Sequence, residues 1–143
     1  VLAFPTAQVA VLSPMRTFWE KATLIHVECH RPDLRAGAER LSRHWYDLAR
    51  LADHEVGRKA LADTELLSDV LRIKETFYRS GFSHYELCQT GGLRLIPDAA
   101  LLNALQQDYQ AMLDAQMFYG ETLVFDCIVE RLTTLESEIN RQG

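Results

Sequence analysis

The chain has 143 residues and a formal net charge of −5, and hydrophobic residues make up 48% of it. These values are typical of one globular domain with a core of its own, and the chain is too short to predict two. No apolar run approaches the roughly 18 to 20 residues that cross a bilayer, and no charged segment followed by an apolar one opens the chain. We therefore expect a cytoplasmic protein that does not enter a membrane.

The charge is unevenly distributed between the two halves of the chain. Residues 1–59 carry nine Lys/Arg against seven Asp/Glu, whereas residues 60–143 carry six against thirteen. A ligand that bears phosphate should therefore prefer the N-terminal half. Twelve of the fifteen cations are arginine, which suits bidentate contacts with phosphate or carboxylate, although a high genomic GC content would produce the same bias.

Neither the cysteines nor the histidines show the spacing of a metal site. The three cysteines are odd in number and unpaired in spacing, so we interpret all of them as small buried hydrophobic residues. They are Cys29, Cys88 and Cys127. The five histidines include no H-E-x-x-H pattern, and a metal held by histidine is not expected.

A short strand is predicted ahead of the first helix. Residues 7–12 are rich in β-branched side chains and end at the turn signal Ser13-Pro14. One strand is not stable alone, because its backbone groups need partner strands. We therefore expect it to belong to a sheet completed by chain that this sequence lacks, an expectation that the first residue, Val1, also supports.

The first predicted helix begins with Ser13 as N-cap and Pro14 at its first position, and continues to about Arg31. Leu24 and Val27 lie opposite its main apolar face, and this second patch indicates a second neighbour. The main face consists of Met15, Phe18, Trp19, Ala22, Ile25, His26 and Cys29.

The second predicted helix, residues 38–54, carries a lone carboxylate, Asp47, within a strip of basic side chains. Its predicted buried residues are Leu41, Trp45, Leu48 and Ala52. The strip consists of Arg40, Arg43, Asp47, Arg50 and His54, at spacings of three and four. Two interpretations stay open: ordinary helical ion pairs contributing a few tenths of a kcal/mol each, or a functional site.

Four more helical segments are predicted. A helical turn at 58–62 precedes a helix at 65–79, for which Thr64 is the predicted N-cap. We expect this helix to be central because it is apolar on two faces. Residues 80–97 are irregular, with a possible extended piece at 93–96, and helices at 98–118 and 121–141 follow. The last has coiled-coil-like spacing and is expected to pack on the helix before it as an antiparallel hairpin. Its seam residues are Phe125, Ile128, Leu132, Leu135 and Ile139.

Several segments, in order, resemble one protein family and together cover nearly the whole chain. They are residues 11–21 (VLSPMRTFWEK) with His26, 43–48 (RHWYDL), 93–97 (LRLIP), 108–112 (DYQAM) with 117–120 (MFYG), and 132–140 (LTTLESEIN). They resemble the C-terminal part of the AbiEii/AbiGii-type nucleotidyltransferase toxins, a branch of the DNA-polymerase-β-like transferases. Only the first two segments bear on chemistry, and the later ones are packing motifs.

The resemblance implies transfer of a nucleotide monophosphate from a nucleoside triphosphate to an acceptor, with tRNA as the acceptor in similar members. It also implies Mg²⁺ bound by acidic residues of an N-terminal lobe, after a Gly-Ser turn and as an Asp-x-Asp pair. This sequence contains neither pattern. By resemblance, residues 1–143 are one domain, the C-terminal helical lobe, which lacks the metal-binding lobe and is not expected to catalyse transfer alone.

The site residues carried over from the family are few. Lys21 matches a helix lysine whose ammonium group would approach the triphosphate, and Asp47 matches an aspartate that would orient Lys21 or the acceptor, or act as base. Arg43 and His44 would contact phosphate, although His44 lies near the buried face and is also interpreted as a core histidine. Arg16 is matched as a further nucleotide-binding residue. His26 matches without an assigned role, and no metal ligand is carried over.

Two alternatives to an enzyme lobe stay open. A stand-alone helical module could bind a partner, such as a cognate antitoxin or a second copy of the chain, through the seam of the last helix or through the strand edge. Nucleic-acid binding without catalysis is less favoured, because the acidic second half would repel a phosphate backbone.

Overall fold

The structure is a computed structural model that describes residues 13–32, 40–118 and 122–142. In these ranges the chain forms six α-helices, one short 3-10 helix (Tyr85–Gln89) and no β-strand, so the mainly helical class is confirmed. The strand predicted at 7–12 lies outside the described residues. The helices are α1 (Pro14–His30), α2 (Ser42–Ala52), α3 (Glu55–Ala62), α4 (Thr64–Phe77), α5 (Ala99–Asp114) and α6 (Phe125–Gln142). Within these ranges no helix has both the length and the hydropathy of a membrane span.

The central element is α1. None of its side chains from residue 15 to residue 30 is exposed, and it contacts α2, α3, α4 and the 3-10 helix. Leu24 and Val27, predicted to form a second patch, are partly buried against the same core as the main face. The side chain of Ser13 makes no capping hydrogen bond, but its carbonyl accepts one from the Thr17 N–H at 3.0 Å.

The prediction that α4 is central is wrong. Leu67, Val70 and Leu71 are buried, and α4 packs mainly on α1. Phe77 and Tyr78, one from each predicted apolar face, lie at the C-terminal end of the helix and are 73% and 68% exposed. Periodicity identifies the apolar faces of a helix but does not show how far along the helix they are covered.

The seam of α6 is buried as predicted, but its partner differs from the prediction. All five seam residues are buried. α6 packs mainly on α2, with further contacts to the 3-10 helix, rather than forming a hairpin with α5. The spacing of a seam fixes which face of a helix is buried, whereas the partner depends on the other faces available, and α2 buries Trp45, Leu48 and Ala49.

Several local predictions are corrected. Asp63 rather than Thr64 caps α4, because its carboxylate accepts a hydrogen bond from the Leu66 N–H at 3.0 Å. α5 ends at Asp114 instead of continuing to 118, since Gln116 adopts a positive φ of 55°. Cys29 and Cys88 are buried, but Cys127 is exposed. The N-cap of α5 is Asp98, the first residue of the helix predicted at 98–118.

Gly57, which precedes the helical turn predicted at 58–62, lies inside α3. A Cβ atom at this position would lie 2.7 Å from the carbonyl oxygen of Leu51 and 2.8 Å from the Cα of Ala52. The glycine therefore permits the close approach between the end of α2 and α3.

The piece predicted as extended at residues 93–96 has no partner strand among the described residues. Leu93 and Leu95 are buried, and side chains of α6 bind the backbone of the segment. Asn140 accepts from the Leu93 N–H and donates to the Leu93 carbonyl, both at 2.9 Å. Glu136 accepts from the N–H groups of Leu95 and Ile96 at 2.6 and 3.2 Å. These side chains replace the strand that would otherwise satisfy the buried backbone.

Two more side chains connect the same segment to α1 and α2. The Nδ1 atom of His26 accepts from the Arg94 N–H at 3.0 Å, and its Nε2 lies 2.9 Å from the carbonyl oxygen of His84. The indole N–H of Trp45 donates to the Leu95 carbonyl at 2.9 Å. His26 is therefore neutral, with its proton on Nε2, and burial lowers its pKa to about 4.

The start of α2 is capped by a residue of α5. Leu41, the N-cap position, makes no side-chain cap. Instead, Asp108 accepts hydrogen bonds from the Arg40 N–H at 2.7 Å, and from the Ser42 N–H at 2.9 Å. The buried Ser42 hydroxyl donates to the same carboxylate. This carboxylate satisfies N–H groups at the start of α2 and favours its dipole.

We predict that the free energy of unfolding falls as the pH drops from about 6.5 to about 4. The unfolded chain takes up a proton on His26 near pH 6.5, whereas the folded chain takes it up only near pH 4. The loss from this group is about 3 kcal/mol over that window, measurable by urea denaturation at a series of pH values. The variant His26→Asn keeps an acceptor for the Arg94 N–H but cannot titrate. Equal pH dependence in both proteins would contradict the assignment.

We also predict that Asp108→Ala destabilises the protein by about 2 kcal/mol, because it leaves buried donors at the start of α2 unsatisfied. Asp114→Ala is the matched control on the same helix, since Asp114 is exposed and accepts a hydrogen bond from the side chain of Gln110. Urea denaturation of the two variants should differ by most of this amount. Similar free energies of unfolding would show that Asp108 does not hold α2.

Candidate functional site

α1 and α2 bring the two principal site candidates into contact. The Nζ atom of Lys21 lies 3.0 Å from Oδ2 of Asp47, although the residues are 26 positions apart in the sequence. Their side chains are 21% and 31% exposed, so the pair lies at the edge of the helix packing. The contact is between helices and does not follow from the spacing within either one.

His44 joins the same contact. Its Nδ1 atom lies 3.0 Å from the Nζ atom of Lys21. The residue is half-buried and directed at Lys21, rather than enclosed in the core as one interpretation of the sequence held. Burial lowers the pKa of His44, and the neighbouring Lys21 ammonium acts in the same direction. The imidazole is therefore neutral at pH 7, and Nδ1 accepts a hydrogen bond from Lys21.

Arg43 extends the arrangement toward solvent. Its Nε lies 3.9 Å from Oδ2 of Asp47, and its side chain is 58% exposed. We call Lys21, Arg43, His44 and Asp47 the Lys21 cluster. With a neutral histidine, it carries two positive charges and one negative charge.

The remaining basic residues of α2 do not converge on this cluster. Arg50 donates to the Tyr46 hydroxyl at 3.2 Å and lies over the Tyr46 ring. Arg40 and His54, near the two ends of α2, are exposed. The basic strip predicted from the sequence therefore does not act as one surface. Among its described residues, Arg43 is the one that pairs with Asp47.

The structure does not bring Arg16 to the cluster. Its guanidinium pairs with Asp69 of α4 at 2.9 Å and with Glu20 at 3.8 Å. Hydrogen bonds from Arg16 and then Arg72 lower the pKa of the Asp69 carboxyl. Arg16 thus takes part in the packing of α4 on α1, and its predicted contact with nucleotide is not supported by this geometry.

Sequence reasoning did not identify Glu28 as a neighbour of the site. Glu28 is buried, lies two helical turns after Lys21 on α1, and pairs with Arg31 at 3.0 Å. Its charge acts to raise the pKa of His44, against the larger effect of burial. The spacing of seven residues from Lys21, which places both on one face of α1, is the signal that would have indicated it.

The described residues do not fit a Mg²⁺ site. Magnesium prefers carboxylate oxygens, but the Asp47 oxygen that faces the cluster is shared by Lys21 and Arg43. In the described part of the chain no three His, Cys, Asp or Glu side chains are arranged to hold a metal ion.

The histidines at the end of α1 are not arranged as a metal site either. The ring of His30 lies between those of His26 and His84, at centroid distances of 4.4 and 4.9 Å. Both ring nitrogens of His26 are already used, by the Arg94 N–H and the His84 carbonyl. This stack is a packing feature.

A protein-family model described as Nucleotidyl transferase AbiEii toxin, Type IV TA system, matches residues 1–131. The match includes all four residues of the Lys21 cluster. No curated protein and no solved structure gives a significant match to the chain. Because the family model covers most of the sequence, the chain belongs to the AbiEii family of nucleotidyl transferase toxins from type IV toxin–antitoxin systems.

Proposed function

We propose that the Lys21 cluster binds the triphosphate of a nucleoside triphosphate, within a toxin that transfers the nucleotide monophosphate to an RNA acceptor such as tRNA. The convergence of Lys21, Asp47 and His44 from two helices carries this proposal. The family match supports nucleotidyl transfer in a toxin–antitoxin context. The RNA acceptor and the role of this chain as the C-terminal helical lobe are the proposed part.

The donors of the cluster suit a phosphate ligand. A lysine ammonium has three N–H donors, and in the described residues two of them are directed at Asp47 and His44. The third remains for a ligand oxygen. The exposed Arg43 guanidinium adds planar donors that match a phosphate, and the charge of the cluster is net positive.

Asp47 has two proposed roles in the transfer. It holds the Lys21 ammonium in place, and it can receive the proton of the acceptor hydroxyl. In that step the acceptor oxygen forms a bond to the α-phosphorus while the bond from the α-phosphorus to the bridging oxygen breaks. Pyrophosphate leaves, and the lysine and arginine charges neutralise negative charge that develops on the phosphates.

The metal ligands that the family's activity implies are proposed to lie in an N-terminal lobe beyond this sequence. The described residues do not provide them. We therefore assign this chain the cationic side of the active site, and we expect nucleotide binding but no transfer from the 143 residues alone.

The alternative to a ligand site is that Lys21 and Asp47 form an ordinary structural ion pair between helices. A pair that is partly exposed contributes about 0 to 1 kcal/mol to stability. Such a pair needs only one acceptor for the ammonium. The addition of a neutral histidine acceptor and of a second, exposed cation favours a ligand site.

An interaction module is the second candidate, favoured by the exposed side chains of Phe77 and Tyr78 at the end of α4. The seam of α6, proposed from the sequence as its binding surface, is buried in the fold and cannot serve. This candidate predicts no nucleotide affinity and a size that depends on concentration in sedimentation, as for a homodimer.

We predict that Lys21→Ala weakens the binding of nucleoside triphosphate to this chain by about 10- to 100-fold, because a charge-assisted contact with phosphate is lost. The control is Lys59→Ala, since Lys59 is an exposed lysine of α3 that pairs with Glu55. Isothermal titration with each of the four common triphosphates would measure the effect. The proposal fails if the unmodified chain binds none of them, or if both variants bind alike.

In the protein as its gene encodes it, we predict that Asp47→Asn lowers nucleotide transfer to tRNA by about 10²- to 10⁴-fold, the range for loss of a general base. Incorporation of radiolabelled nucleotide into total tRNA would measure this. Asp53→Asn, an exposed aspartate after α2 that pairs with Arg131, is the control. Full activity in Asp47→Asn would remove this aspartate from the chemistry.

A further inference from the structure

We infer that His44 is a positioning residue for Lys21: its Nδ1 atom accepts one ammonium hydrogen and thereby fixes the direction of the lysine donor left for the ligand. The family resemblance implies a different role, direct contact between His44 and phosphate. The inference rests on the proposed function in one respect, the identity of the ligand that the third N–H of Lys21 binds.

The geometry places two acceptors of α2 around one donor of α1. The Nζ atom of Lys21 lies 3.0 Å from Nδ1 of His44 and 3.0 Å from Oδ2 of Asp47. His44 and Asp47 are three residues apart on α2, so their side chains lie on the same face. A carboxylate alone leaves an ammonium group free to rotate about its bond to Cε. A second acceptor at a separate position removes that freedom and orients the third N–H.

The charges around His44 keep Nδ1 able to accept. Burial is the largest influence and disfavours the imidazolium form, and Lys21 and Arg43 disfavour it as well. Asp47 and Glu28 oppose them, but the pKa is lowered on balance. The neutral ring therefore holds its proton on Nε2, with the Nδ1 lone pair directed at Lys21.

The same arrangement argues against phosphate contact through Nδ1. An anion would need an N–H at that atom, and a proton on Nδ1 would face the Lys21 ammonium at 3.0 Å. At Nδ1 the two roles have opposite requirements. Positioning of Lys21 needs an acceptor at this atom, whereas phosphate contact through it needs a donor.

Two substitutions separate these requirements. In His44→Asn the amide oxygen stands the same number of bonds from the backbone as Nδ1, so the acceptor is kept and the imidazole is lost. In His44→Phe the ring shape is kept and the acceptor is lost. Circular dichroism and thermal unfolding would establish that each variant folds, with His44→Leu replacing the phenylalanine variant if it does not.

The first readout is the ammonium group of Lys21 without any nucleotide. The chain has three lysines, Lys21, Lys59 and Lys74, so ¹⁵N-labelled lysine gives a simple NMR spectrum that Lys59→Arg and Lys74→Arg assign. Hydrogen bonds slow the exchange of ammonium protons with water. We expect a Lys21 ammonium signal at neutral pH in the unmodified chain and in His44→Asn, and its loss in His44→Phe. A signal that survives in His44→Phe, or disappears in His44→Asn, would overturn the inference.

The second readout is affinity for nucleoside triphosphate. His44→Asn should bind within about twofold of the unmodified chain, and His44→Phe about fivefold more weakly, since the lysine contact is less well oriented. The effect of His44→Phe should vanish in a Lys21→Ala background. Equal losses in both histidine variants would instead indicate direct contact of the imidazole with phosphate. If the unmodified chain binds no triphosphate, the proposed function fails, whereas the NMR result still decides the role of His44.

Discussion

The fold depends on residues 93–96, in which Leu93 and Leu95 are buried and whose backbone groups are bound by side chains of three helices. Buried N–H and C=O groups must be hydrogen-bonded, and the described part of the chain contains no strand that supplies the partners. His26 of α1, Trp45 of α2, and Glu136 and Asn140 of α6 supply them instead. Each helix is therefore anchored to a common segment, in addition to its apolar contacts.

This anchoring determines where the candidate site forms. His26 follows Lys21 by five residues on α1, and Trp45 lies directly after His44 and two residues before Asp47 on α2. Fixing His26 and Trp45 against one segment fixes the relative placement of the two helices. Asp108 adds a second constraint at the start of α2. The 3.0 Å contact between Lys21 and Asp47 therefore follows from packing contacts made by other residues of the two helices.

The features predicted correctly from the sequence are those that depend on local periodicity. The buried faces of α1, α2 and α6 follow from the spacing of apolar residues, and the cap of α5 follows from Asp98. The predictions failed where the outcome depends on residues that are distant in the sequence. Other surfaces of the fold decide whether the C-terminal end of α4, with Phe77, is covered and whether α6 packs on α2 or on α5. No short window of the sequence contains that information.

The site was predicted in a different way. The roles of Lys21 and Asp47 came from resemblance to the family, because the spacing around Asp47 alone also fits ordinary ion pairs on a helix. The hydrogen bond between Lys21 and His44, and the electrostatic effect of Glu28 on His44, act between helices and needed the structure. For Arg16, nucleotide contact is predicted by resemblance alone, and the structure pairs this residue with Asp69 of α4.

The central claim is that the triphosphate of a nucleotide lies against Lys21. The most direct test uses a nucleotide analogue that carries an aldehyde in place of its terminal phosphate, followed by reduction and peptide mass spectrometry. With three lysines in the chain, the modified residue can be assigned without ambiguity. The account predicts that Lys21 is labelled and that excess unmodified triphosphate prevents the labelling. Equal labelling of Lys21, Lys59 and Lys74, unaffected by competing triphosphate, would contradict it.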